Sequence, residues 1–109
     1  MSKEKEILEI ERIKESLEYH FDKYKEYKSD AKNASRKKDR DRASDNMVTH
    51  AKFIENELYN PLVNSTISNG GQFQFESFWR YVESDLPDYL SKIEALLDQQ
   101  KSEEEEKKD

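Results

Sequence analysis

Two histidines, His20 and His50, are the side chains of this sequence suited to proton or phosphoryl chemistry near neutral pH. His50 lies in MVTHAKF, beside an apolar helical row. A phospho-accepting histidine on a helix is served by a nearby basic residue and by a glycine that lets the donor approach. Lys52 follows His50, but no glycine does. His50 therefore reads as a histidine at the edge of a helix interface. His20 falls on a heptad row between Leu17 and Tyr24. Metal ligation would need further ligands at i±3 or i±4, and Leu17 and Met47 occupy the positions three residues before each histidine. His20 is expected to be a partly buried packing residue, with no metal and no cofactor implied.

The second chemically suggestive feature is a basic stretch formed by Lys28, Lys32, Arg36, Lys37, Lys38, Arg40 and Arg42. Three aspartates, Asp30, Asp39 and Asp41, interrupt it, leaving a local charge of +4. Such a stretch can contact phosphates or an acidic protein surface. The aspartates weaken phosphate attraction, and no aromatic residue interleaves the run to stack on bases. A solvated helix end is the plainer reading. Residues 43 to 109 run the other way, at -8. An acidic helical face of that kind can occupy the basic groove of a nucleic-acid-binding protein.

Enzymatic chemistry finds no motif. There is no Gly-x-Ser-x-Gly elbow, phosphate-binding glycine loop, HExxH or credible Ser-His-Asp grouping, so a non-enzyme is expected. The 109 residues contain no cysteine, which removes disulfides, thiolate metal sites and cysteine nucleophiles. No apolar run approaches the roughly 20 residues that span a bilayer. The start, MSKEKEILEIERIKE, alternates charge with aliphatics, so a cytoplasmic protein is expected. With 40% charged and 33% hydrophobic residues the chain approaches the composition of a disordered one. Six Tyr, five Phe and one Trp argue for a core instead.

Hydrophobic spacing then supplies the elements that must position these groups. Ile10, Leu17, Tyr24 and Ala31 recur every seven residues, as do Ile13, His20, Tyr27 and Ala34, which predicts a long helix from Lys3 to about residue 34. A turn is expected between Asn33 and Ser44. Met47, Ala51, Ile54, Leu58 and Leu62 predict a second helix that Pro61 ends or kinks. VNSTISNGGQ, with the chain's two glycines, predicts a loop. Phe75, Phe78, Trp79, Val82 and Leu86 predict a third helix that Pro87 stops. A fourth, with Pro87 in its first turn, carries Leu86, Leu90, Ile93 and Leu97.

The expected fold is all-α: a long antiparallel helical hairpin closed by two shorter C-terminal helices, a three- to four-helix bundle. Residues 1–101 form one domain in this reading, and 102–109 a charged, disordered tail. Phe75, Phe78, Trp79 and Val82 are expected in the core. Tyr59, Phe73 and Tyr81 are expected to form an exposed contact patch near the glycine loop. The expected function is protein–protein interaction or regulation, with a protein partner or a second copy of the chain. The alternative is a nucleic-acid-linked role, through the basic 28–42 segment or as an acidic inhibitor. No membrane partner is implied.

Overall fold

The heptad rows become one continuous helix, α1 (Ser2–Asn33), in a computed structural model that describes residues 2–107, with side chains from 3 to 105. Four further helices follow: α2 (Lys37–Leu58), α3 (Pro61–Ile67), α4 (Phe75–Trp79) and α5 (Val82–Lys107). No strand occurs among the described residues. The fold is all-α, with α1 packed against α2 along part of its length and against α5 along another part. The chain separates into two compact units, residues 16–57 and residues 1–15 with 58–109.

The first unit is the hairpin of α1 and α2. Its buried residues are Leu17, Phe21 and Tyr24 from α1 and Ala43, Ala51 and Ile54 from α2. The connection is short, residues 34–36. The amide of Ala34 donates to the carbonyl of Asp30 at 2.9 Å, closing α1. Arg40 Nη1 then donates to the carbonyls of Ala34 and Ser35 at 3.1 and 3.0 Å. These oxygens stand at the negative end of the α1 dipole, so a guanidinium is well placed to satisfy them. Starting at Lys37, α2 begins ten residues before the apolar row at Met47. Ala43, which the row omits, is buried in that added stretch.

The second unit joins the beginning of α1 to α3, α4 and α5. Ile7, Ile10 and Ile13 supply the α1 side of its core, and Leu58, Val63, Ile67, Phe73, Phe78, Val82, Leu86, Ile93 and Leu97 supply the remainder. Here the structure corrects two expectations. First, VNSTIS is largely helical. Pro61 both ends α2 and occupies the first turn of α3, where its fixed φ is already helical and its missing N–H is not needed. Asn60 caps that helix, its Oδ1 accepting from the amide of Leu62 at 3.0 Å. The expected glycine turn follows it: Asn69 and Gly70 take φ of 56° and 86°, and the Gly70 amide reaches back to the Ser65 carbonyl at 2.6 Å. That is a Schellman termination.

Second, the helix break expected at Pro87 lies at Arg80–Tyr81. Tyr81 N–H donates to the Phe78 carbonyl at 2.8 Å, and the Tyr81 carbonyl accepts from Ser84 and Asp85 at the start of α5. Pro87 sits inside α5, near its N-terminal end. Of the expected aromatic core, Phe78 and Val82 are buried while Phe75 and Trp79 are half-buried. The last helix, α5, is described to Lys107, and residues 108 and 109 of the expected tail lie outside those described. Glu103 in this helix meets Lys3 at 2.6 Å, and Lys101 meets Glu11 at 3.3 Å, two ion pairs that tie α5 to α1.

Candidate interaction site on the helical hairpin

Residues 19, 20, 23 and 27 of α1 lie at helical spacing on one flank of its buried stripe, and residues 50 and 53 lie on the facing flank of α2. The short turn at 34–36 makes residue 35 the centre of an antiparallel pair, which brings position 20 opposite position 50. The outcome is a cluster of five rings: Tyr19, His20 and Tyr27 from α1, His50 and Phe53 from α2. His20 stacks on Phe53 at 4.6 Å with an interplanar angle of 11°, and His50 stacks on Tyr27 at 5.5 Å and 14°. Tyr19 stands edge-on to both imidazoles, at 5.0 and 6.2 Å. At the centre, Nδ1 of His20 lies 2.8 Å from Nδ1 of His50. His20 is thus the half-buried packing residue expected of it, and His50 the expected residue at the edge of a helix interface.

These rings are not a core. Tyr19 is 55% exposed and Phe53 47%, although both are held in place by their neighbours. A groove lined by Thr49, Lys52, Phe53 and Asn56 continues the surface beyond Phe53. The electrostatics of the flank are polarised. Lys23 acts on His50 and lies over the Tyr19 ring at 6.0 Å, whereas Glu57 acts on His20. Burial pushes the His20 imidazole below its ordinary value, the His50 charge adds to this, and Glu57 opposes it. Burial also pushes His50 down, with Lys23 assisting. Glu26 beside Lys23 holds its ammonium above the ordinary lysine value.

The patch expected at Tyr59, Phe73 and Tyr81 is not assembled as an exposed surface. Phe73 is 3% exposed and belongs to the core of the second unit, edge-on to Tyr59 at 5.1 Å and to Phe78 at 5.4 Å. Its backbone is drawn inward by Asn64, whose Oδ1 accepts from the Phe73 amide at 3.5 Å and whose Nδ2 donates to the Leu58 carbonyl at 3.2 Å. Tyr59 and Tyr81 do remain exposed, but they line separate grooves. Sequence spacing missed this because Phe73 precedes its helix and carries no periodic signal.

The basic residues gather at the hairpin tip. Lys28 and Lys32 lie in the last turns of α1, Arg36 in the connection, and Lys37, Lys38, Arg40 and Arg42 at the start of α2. Arg40 is occupied by the turn carbonyls. A depression at the tip mixes Asp30 and Asp39 with Arg42, so both signs of charge face it. Among the described residues no group of three or more His, Asp or Glu side chains is placed to hold a metal ion, and no helix is long and apolar enough to cross a membrane. Compared with protein-family models, curated protein sequences and solved structures, the chain matches none.

Proposed function

We propose that this chain is a helical protein-interaction module that pairs with a second copy of itself through the aromatic flank of the α1–α2 hairpin. The observation that carries this reading is the pair of half-exposed rings, Tyr19 and Phe53, one edge-on to and the other stacked on a histidine pair. Rigid aromatic rings lose little entropy on binding and are typical anchors of protein interfaces. A second copy is the favoured occupant because the flank is self-complementary in charge. With the turn at 34–36, Lys23 lies on the tip side of the ring cluster and Glu57 on the opposite side, so a two-fold axis through the flank brings each near its opposite on the other copy. The +4 segment at 28–42 and the -8 of residues 43–109 offer the same complementarity on a larger scale.

Sedimentation equilibrium tests the reading. Phe53→Glu removes an anchor and introduces a charge twice per symmetric dimer. A central anchor contributes more than about 1 kcal/mol per copy, so the dissociation constant is expected to rise by about thirtyfold or more. Far-ultraviolet circular dichroism should stay helical, since Phe53 is half exposed. A strict monomer for the unaltered chain at about 100 μM, or an equal dimer constant in Phe53→Glu, would overturn it.

The hairpin tip supports a second reading, a nucleic-acid-linked role. Lys37 and Lys38 stand in the first turn of α2, where the helix dipole disfavours cations, so their placement gives no local stability. Binding through phosphates would weaken steeply with salt and with neutralisation of Arg36, Lys37, Lys38 and Arg42.

A further inference from the structure

The imidazoles of His20 and His50 face each other across the hairpin, and pairing between copies makes no use of their chemistry. We propose that these two histidines form a proton-operated latch, which holds the aromatic flank together while one ring donates to the other and releases it when both rings are charged. The two Nδ1 atoms lie 2.8 Å apart. A hydrogen bond there requires one ring to carry its proton on Nδ1 and the other to present an Nδ1 lone pair, with its own proton on Nε2. The two neutral rings must therefore be opposite tautomers.

Adding protons then has two unequal effects. The first goes to the vacant Nε2 of the donor ring, producing an imidazolium that still donates, and the bond becomes charge-assisted. The second can go only to the accepting Nδ1. It eliminates the acceptor and places two cations on rings whose centroids are 5.0 Å apart. The pair consequently titrates in two macroscopic steps that belong to both residues. From α1 the pair is faced by Lys23, Tyr19 and Tyr27, and from α2 by Glu57 and Phe53. Lys23 opposes charging at His50, and Glu57 favours it at His20.

Both imidazoles are lowered by burial, so the folded hairpin favours their neutral forms. The latch therefore contributes fully above the ordinary value of 6.5, survives the first protonation as a charge-assisted bond, and is lost at the second step as pH falls below 6.5 through the lowered folded values. Releasing the latch also frees the His20–Phe53 and His50–Tyr27 stacks, the first of which holds the exposed Phe53 ring. Control of pairing by acid rests on the function proposed above; the latch itself does not.

Long-range proton–nitrogen NMR of the full chain separates these statements. Opposite tautomers are expected for His20 and His50 at about pH 7.5, followed on acidification by two separated steps, the second below 6.5. In His50→Phe, which keeps a ring for Tyr27 to stack on, His20 should titrate in one step. Sedimentation at about pH 7.5 and about pH 5 should show pairing weakened by roughly tenfold in the unaltered chain and by less than about twofold in His50→Phe. Identical tautomers with independent titrations near 6.5 would overturn the latch. Two coupled steps in a chain that is monomeric at every pH would uphold the latch and overturn the pairing. Two coupled steps with pH-independent pairing would overturn the control of pairing by acid.

Discussion

Phe78→Ala is expected to lower the unfolding free energy by about 3–5 kcal/mol, measured as a shift of the urea midpoint at constant slope. Phe78 is 2% exposed, at the centre of the second unit's aromatic core. It meets Phe73 edge-on at 5.4 Å and stacks on Tyr89 at 5.4 Å and 21°. Truncation removes the burial of a large ring, its contacts with Phe73, Phe75 and Tyr89, and the packing that holds Phe73 under Tyr59. Against a typical total of about 5–15 kcal/mol, such a loss leaves a marginal protein. A loss below about 1 kcal/mol would show that Phe78 is not in a close-packed core.

Leu17→Glu is expected to have the larger effect on the hairpin. Leu17 is fully buried in α1, and Phe21 and Tyr24 continue its face. The substitution forfeits about 1.5–3 kcal/mol of burial and places a carboxylate among apolar neighbours, where an unpaired charge costs several more. The sum rivals the stability of a whole domain. Helical circular dichroism should fall sharply and amide protection along residues 16–57 should vanish. Leu17→Met, which conserves volume, should cost less than about 1.5 kcal/mol and keep the hairpin. An unchanged hairpin in Leu17→Glu would mean that α1 does not present this face to α2.

How much of this could be read in the sequence depended on the range of the interaction. The heptad rows gave α1, and Ile93 and Leu97 gave much of α5, because apolar spacing at 3.6 residues is a local signal. Pro61 was read as ending or kinking α2, although Asn60 before it is a good cap and Pro a good first-turn residue; α3 followed from that pair. Phe73 looked free because the Asn64 side chain that draws its segment inward acts from nine positions away. The histidine cluster was less legible still. His20 and Phe53 each appeared beside an apolar stripe, but their meeting depends on the register of α1 against α2. A turn placed anywhere from Asn33 to Ser44 leaves that register open by several turns of helix. Only a turn at 34–36 sets His20 against His50.

The exposed rings of the two units differ in how they are grouped. In the second unit, the burial of Phe73 leaves Tyr59 and Tyr81 apart, in separate grooves. In the hairpin, Tyr19 and Phe53 belong to one connected set of rings. Connection matters because neighbouring anchors exclude water from each other, whereas isolated exposed aromatics are ordinary features of a protein surface.

An isotope-filtered nuclear Overhauser experiment on an equal mixture of labelled and unlabelled chains tests the pairing most directly. The account expects intermolecular cross-peaks from the ring protons of Tyr19 and Phe53 at about pH 7.5, absent in Phe53→Glu. Cross-peaks confined to Tyr59 and Tyr81, or none in a sample that sediments as a dimer, would contradict it.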